Sequence, residues 1–266
     1  MISRPPLLAL ALGLTLTACA TGGASMSAPS WSPSPTLPSP TPSLSAKTSP
    51  TAVPAPTYPA NVKDVPPFSP LEVETYFVEP VATDMQVYYT IPAEGWMSWT
   101  GAFKFGPDTD GPSSVVAFGV LNVTNVVQDG CTGHVAVVPP VGPTVDEMAM
   151  ALAGLSPFVL TKPPSDVTVD GFRGKHLQLT VPDLELGGSG DDTEFIDCKD
   201  GELWSYIGKP LSFANHAYSH PGQSEEIWLL DVDGTRVMIG TFTSPGSSED
   251  DIAELRSILD SVDIVP

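Results

Sequence analysis

From residue 72 onward, hydrophobic and polar positions alternate in two distinct periods. Residues 72–78 place acids beside apolar or aromatic residues at a spacing of two, the period of a half-buried strand. Residues 86–91 form a β-rich run stopped by Pro92, and Ala93-Glu94-Gly95 reads as a turn before Trp96. Residues 115–127 are rich in Val, with Phe118 and Leu121, and predict one or two buried strands. From 176 to 181, Leu177, Leu179 and Val181 face one way and His176, Gln178 and Thr180 the other. Residues 227–232 and 236–242 predict two strands joined at Asp233-Gly234, a strong two-residue hairpin signal.

The period then changes to that of helices. Thr144-Val145-Asp146-Glu147 is a capping box, with Val145, Met148, Ala149 and Leu152 following at helical spacing and Gly154 near the stop. A second helix starts near Ser248. Glu249, Asp250 and Asp251 fill its first turn, where the helix dipole favours negative charge, and Ile252, Leu255 and Leu259 form its apolar stripe. Val262 and Ile264 flank Asp263 as a final short strand. The domain therefore reads as mixed α and β.

The first 67 residues follow a different pattern. An apolar run, Leu7 to Leu16, follows the single basic residue Arg4 and ends at Leu16-Thr17-Ala18-Cys19. The run is shorter than the roughly 20 residues a spanning helix needs, and its order is that of a secretory signal. The ending resembles the bacterial lipobox, which implies cleavage before Cys19 and acylation of its thiol. An ordinary secretory signal with a chance cysteine is the alternative. Ten of the 30 prolines lie between Pro29 and Pro59 among Ser, Thr and Ala, a composition that buries no core and favours extended chain. The expected organisation is a signal peptide over 1–18, a lipidated cysteine and disordered Pro/Ser/Thr-rich tether over 19–67, and a single extracytoplasmic domain over 68–266. Such a chain would sit on the outer face of the cell membrane, held through Cys19.

Charge narrows the partners. Residues 1–60 contain no acid and two basic residues, Arg4 and Lys47; all 31 acids and the other nine basic residues fall in 61–266, which carries −22. That surface repels nucleic acid and anionic headgroups. It favours cations or basic partners, or serves solubility outside the cell.

Cys131 and Cys198 are the cysteines left after Cys19. In an oxidising compartment they are expected to pair, and closing the long loop between them contributes about 4 kcal/mol through the unfolded state. Reactive or metal-binding thiols are the alternative, without a CxxC motif to support them.

The remaining chemistry is sparse. His216 and His220 have the i, i+4 spacing of a zinc pair on a helix, but Asn215 before them and Pro221-Gly222 after them read as a loop. Asp108-Thr109-Asp110-Gly111 and Asp231-Val232-Asp233-Gly234 each match the start of a calcium loop. The twelfth positions are Gly119 and Phe242 rather than Glu, so neither is complete. Gly187-Gly188-Ser189-Gly190 is neither a nucleophile elbow nor a phosphate loop, and its acids give it the wrong sign for phosphate. Glu225-Glu226 is a carboxylate pair of the kind glycoside hydrolysis uses, but many such pairs occur in so acidic a chain. Of the tryptophans, Trp96 and Trp99 flank a turn and are the candidates for a ligand groove. Trp204 and Trp228 could join such a groove, but core packing accounts for most of the four, and Trp228, inside an apolar strand, reads as structural. No cofactor is expected.

Three segments together carry a resemblance: Ile91-Pro92-Ala93-Glu94-Gly95-Trp96; Val167 to Gly174, leading into a strand; and Asp231-Val232-Asp233-Gly234 with the closing helix and Leu259-Asp260-Ser261-Val262. The set resembles actinobacterial cell-envelope lipoproteins and, more distantly, the PsbP-like and LpqN-like α/β sandwich. Ala93-Glu94 is inserted relative to the commonest form of the first motif, and the loop 183–194 lies outside the shared core. The resemblance implies an α+β fold, an antiparallel sheet with two or more helices packed on it, and a non-enzymatic binding or accessory role toward an envelope protein or a small-molecule ligand. It supplies no catalytic residues. A hydrolase acting on cell-wall or lipid substrates is the alternative.

Overall fold

The computed structural model describes residues 59–80, 85–106, 114–189, 192–209 and 215–266. The expected signal peptide, the expected tether up to residue 58, Cys19, Asp108 and Asp110 lie outside them. In chain order the elements begin with β1 (Ala60–Asn61), β2 (Thr75–Val78), β3 (Gln86–Thr90), β4 (Met97–Ser98), β5 (Gly101–Phe105), β6 (Val115–Asp129), β7 (Gly133–Ala136) and α1 (Val145–Ala153). They continue with β8 (Val159–Val169), β9 (Phe172–Thr180), β10 (Leu186–Ser189), β11 (Asp192–Phe195), β12 (Leu203–Lys209) and β13 (Asn215–Tyr218). The last are β14 (Ser224–Val232), β15 (Thr235–Thr243), α2 (Glu249–Asp260) and β16 (Asp263–Val265).

The main sheet runs β13-β12-β6-β15-β14-β9-β8, with β5 and β7 also pairing along the long β6 and β4 on β5. All its pairings are antiparallel. A smaller sheet has the order β1-β2-β3-β16, in which only β1 and β2 run parallel. The fold is α+β, a mostly antiparallel sheet protein with two helices packed on it.

Alternation along β14 decides which side each layer takes. Ile227 and Leu229 meet Leu177, Leu179 and Met238, and α1 closes over them with Met148, Ala149 and Leu152. Trp228 and Leu230 face the other way, toward Val237, Ile239, Leu255 and Ile258 of α2, and Val87, Tyr89 and Ile264 of the small sheet. Each fully buried Leu or Ile in these layers stabilises the fold by roughly 1.5–3 kcal/mol.

Polar ties fix the helices. The α1 capping box forms: Thr144 Oγ1 accepts from Glu147 N at 3.2 Å, and Glu147 Oε2 accepts from Thr144 N at 3.0 Å. Arg236 Nη1 donates to Gly142 O at 2.6 Å and Thr144 O at 3.0 Å, and Nη2 to Val123 O at 3.1 Å, so β15 holds the approach to α1. Ser248 caps α2 by accepting from Asp251 N at 3.0 Å. Lys104 of β5 pairs with Asp251 at 2.8 Å and Glu254 at 2.7 Å, locking α2 to the sheet.

Several expectations need correction. The domain starts no later than Ala60, not at 68: β1 pairs with Tyr76 and Phe77, and Val62 is fully buried. Prolines at 66, 67 and 70 mask that start, because they break regular structure without preventing burial beside them. The 183–194 loop instead supplies most of a small ribbon, β10 paired with β11. His216 stands in strand β13 instead of a loop. The 115–127 run is one strand extended to Asp129, which changes partners along its length. Strand β8 carries no sequence alternation; it is an edge strand of β9, mostly exposed, with Pro163 and Pro164 at a register shift.

Two of the tight hairpins share one backbone conformation. Asp233 and Gly234 have φ of 49° and 83°, and Asp170 and Gly171 have φ of 46° and 82°. Two successive positive values are what a type I′ turn demands, matching the twist of the strands it joins.

Candidate functional site

A cavity of about 260 Å³ lies between the start of the domain and the main sheet. Val62, Val65 and Val78 line one side, Val120 and Val123 of β6 the other, with Trp99, Thr100 and Tyr206 between. The walls are largely apolar, and polar groups are few, as in small-molecule sites. Thr100 Oγ1 is buried and has no hydrogen-bond partner among the described residues. A buried hydroxyl left unmatched costs about 1–3 kcal/mol, which a ligand or water accepting from it would offset. At one side, Lys63 Nζ donates to the Glu79 carbonyl and is thereby occupied.

The two candidate tryptophans separate here. Trp99 lines the cavity, whereas Trp96 is fully buried and spends its indole N–H on Glu254 Oε2 at 2.9 Å. The expectation that Trp96 faces a ligand groove is thus corrected: burial and that hydrogen bond make it a core residue tied to α2. Trp204 stacks on His134 with ring centres 4.7 Å apart and donates to Glu202 at 2.8 Å.

Tyr206 links the cavity to a buried acid. Its hydroxyl donates to Glu225 Oε1 at 3.0 Å, and the Tyr218 hydroxyl donates to Glu225 Oε2. Glu225 is fully buried. Burial pushes its carboxyl up to about 8, against the opposing pull of the Tyr218 and Tyr206 hydroxyls. Burial, with Glu225 beside them, also raises both tyrosines. No local sequence signal marks this cluster, since its three members come from β12, β13 and β14. Glu226 points to the opposite face of β14, where it meets Lys162 and His176. The Glu225-Glu226 pair therefore does not share one cleft, as a glycosidase dyad must.

The other sites take the following places. Cys131 and Cys198 are disulfide-bonded, with Cα atoms 4.5 Å apart. The bond fastens the β6–β7 turn to the segment before β12, beside a Lys199 N to Cys131 O hydrogen bond of 2.7 Å. His216 lies on an extended strand and His220 beyond its end, so the i, i+4 spacing does not bring the two onto one helical face. His220 Nδ1 is 2.8 Å from Ser219 Oγ. Among the described residues, no three His, Cys, Asp or Glu side chains converge as a metal site. Asp231 and Asp233 belong to the β14–β15 hairpin, where Asp231 Oδ1 accepts from Gly234 N at 2.8 Å.

No protein-family model matches the chain, and no curated protein matches it.

Proposed function

We propose that the chain is a lipid-anchored, extracytoplasmic binding module of the cell envelope, and that its cavity beside Trp99 takes a small, largely apolar molecule. The cavity carries this reading: its walls are largely apolar, with five Val side chains and Trp99 among them, and Thr100 Oγ1 is a buried hydroxyl with no hydrogen-bond partner among the described residues. That hydroxyl favours a ligand with a single polar end. The leader ending at Cys19, the proline-rich tether and the Cys131–Cys198 bond support an exported, oxidising location. The three turn motifs support a kinship with PsbP-like and LpqN-like envelope lipoproteins.

The test titrates the full chain with N-phenyl-1-naphthylamine, a neutral apolar fluorophore. Saturable binding at one site is expected, with Val120→Phe filling the cavity and abolishing it, and Trp99→Ala weakening it. Non-saturable fluorescence, unchanged in Val120→Phe, would refute the cavity. Labelling of the chain by radioactive palmitate in cells, lost in Cys19→Ala, tests the anchor separately.

A further inference from the structure

A second recess, of about 420 Å³, opens between α2 and the main sheet, on the face opposite α1. Polar side chains line part of it, beside the apolar core of that face. Glu226 Oε2 accepts from Lys162 Nζ at 3.0 Å and lies 2.9 Å from His176 Nε2, and the His176 ring stacks on Trp228 at 4.7 Å. His176, against partial burial, and Lys162 hold the Glu226 carboxyl down at about 2, so it is a fixed carboxylate.

What these groups leave uncommitted defines a ligand. Among the described residues, Glu226 Oε1 has no partner. The Gln178 side-chain nitrogen donates to Ser224 Oγ, and its side-chain oxygen Oε1 has no partner among the described residues. The side chains of Thr241, Thr243 and Arg256, which also line the recess, make no hydrogen bond or ion pair among the described residues. An open carboxylate oxygen opposes an anion, and an open guanidinium opposes a cation. Together with two free hydroxyls they suit a neutral molecule that donates and accepts at adjacent positions. Leu255 and Leu259 of α2, with Trp228, add an apolar wall.

A pyranose ring has this combination: a C–H face for the apolar wall and a rim of hydroxyls for fixed donors and acceptors. We infer that the recess between α2 and strands β9, β14 and β15 is a binding site for a neutral hexose-type sugar. It is separate from the apolar cavity and does not depend on it. Its volume falls in the ~300–1,000 Å³ range of small-molecule sites.

The experiment follows amide and side-chain NMR shifts of the full chain during titration with D-glucose, D-glucuronate and D-glucosamine, which share one ring and differ in charge. Glucose is expected to perturb Gln178, Thr241 and Thr243, with millimolar affinity and more strongly than either charged sugar. Arg256→Gln and Thr241→Val should each weaken it about tenfold, as expected for loss of a directed hydrogen bond to a charged or buried group. Arg173→Gln, which alters an exposed guanidinium outside the recess, and Trp99→Ala should leave it unchanged. Unchanged melting temperatures show that the variants fold. Preference for glucuronate would overturn the proposal in favour of an anion site at Arg256, and preference for glucosamine in favour of a cation site at Glu226. Absence of any shift, or loss of binding in Trp99→Ala, would also overturn it.

Discussion

Glu225 and Glu226 are chain neighbours whose carboxyls lie on opposite faces of β14, one sealed between the hydroxyls of Tyr206 and Tyr218, the other gripped by Lys162 and His176. Their proton affinities move apart accordingly, to about 8 and about 2. The consequences for stability have opposite signs. Folding makes Glu225 hold its proton more tightly, so its favourable contribution is complete below about 4.5 and is lost as pH rises toward 8. Folding makes Glu226 release its proton more easily, so its contribution is complete above about 4.5 and is lost as pH falls toward 2. Urea unfolding followed from pH 3 to 9 should show stability falling on both sides of a maximum near pH 5. In Glu225→Gln the alkaline decline should flatten, while the acid decline remains. A wild-type curve that rises between pH 5 and 8 would contradict this assignment.

The two neighbouring tryptophans should respond differently. Trp96→Phe removes the hydrogen bond to Glu254 from a fully buried position and shrinks the ring, costing about 1–3 kcal/mol by chemical denaturation. Binding of the apolar fluorophore should be unaffected. Trp99→Ala should weaken that binding instead.

The Cys131–Cys198 bond is expected to appear in non-reducing peptide maps as a single linked pair. Replacing both residues with Ser should lower stability by about 2–5 kcal/mol, since the bond joins positions 67 apart and constrains the unfolded chain. Reduction of the wild type should produce the same loss.

Gly171 and Gly234 isolate a backbone effect. A Cβ at either position would meet nothing within 4 Å, so there is room for alanine. Both nevertheless have φ above 80°, a region L-residues disfavour by about 1–2 kcal/mol. Gly171→Ala and Gly234→Ala should each destabilise by about 1 kcal/mol, measured by thermal unfolding.

Local chemistry made the helices and hairpins readable. Thr144 and Glu147 announce the start of α1 because a capping box is written in four consecutive residues, and Asp233-Gly234 announces its turn in two. The strands that escaped notice lack such marks. β8 has no alternation because most of it is exposed, and Pro163-Pro164 argue against a strand. The site was legible only in Trp99. Val62 and Val65 sit among prolines that read as tether, and the Glu225 cluster assembles residues from three strands. Pairing across a sheet is set by distant segments, so the burial of a glutamate inside an apolar strand leaves no trace in its neighbours.

The two prolines of β8 also govern what one molecule does to another. A sheet that ends in a long bare strand offers a ready template on which a second chain can zip itself, bond by bond. Pro163 and Pro164 supply no backbone N–H and fall where the ladder already slips. A visiting strand meets a gap in the middle of the rung pattern and cannot run the length of that edge. Crowded copies are thereby kept from fusing through β8 into a continuous ribbon.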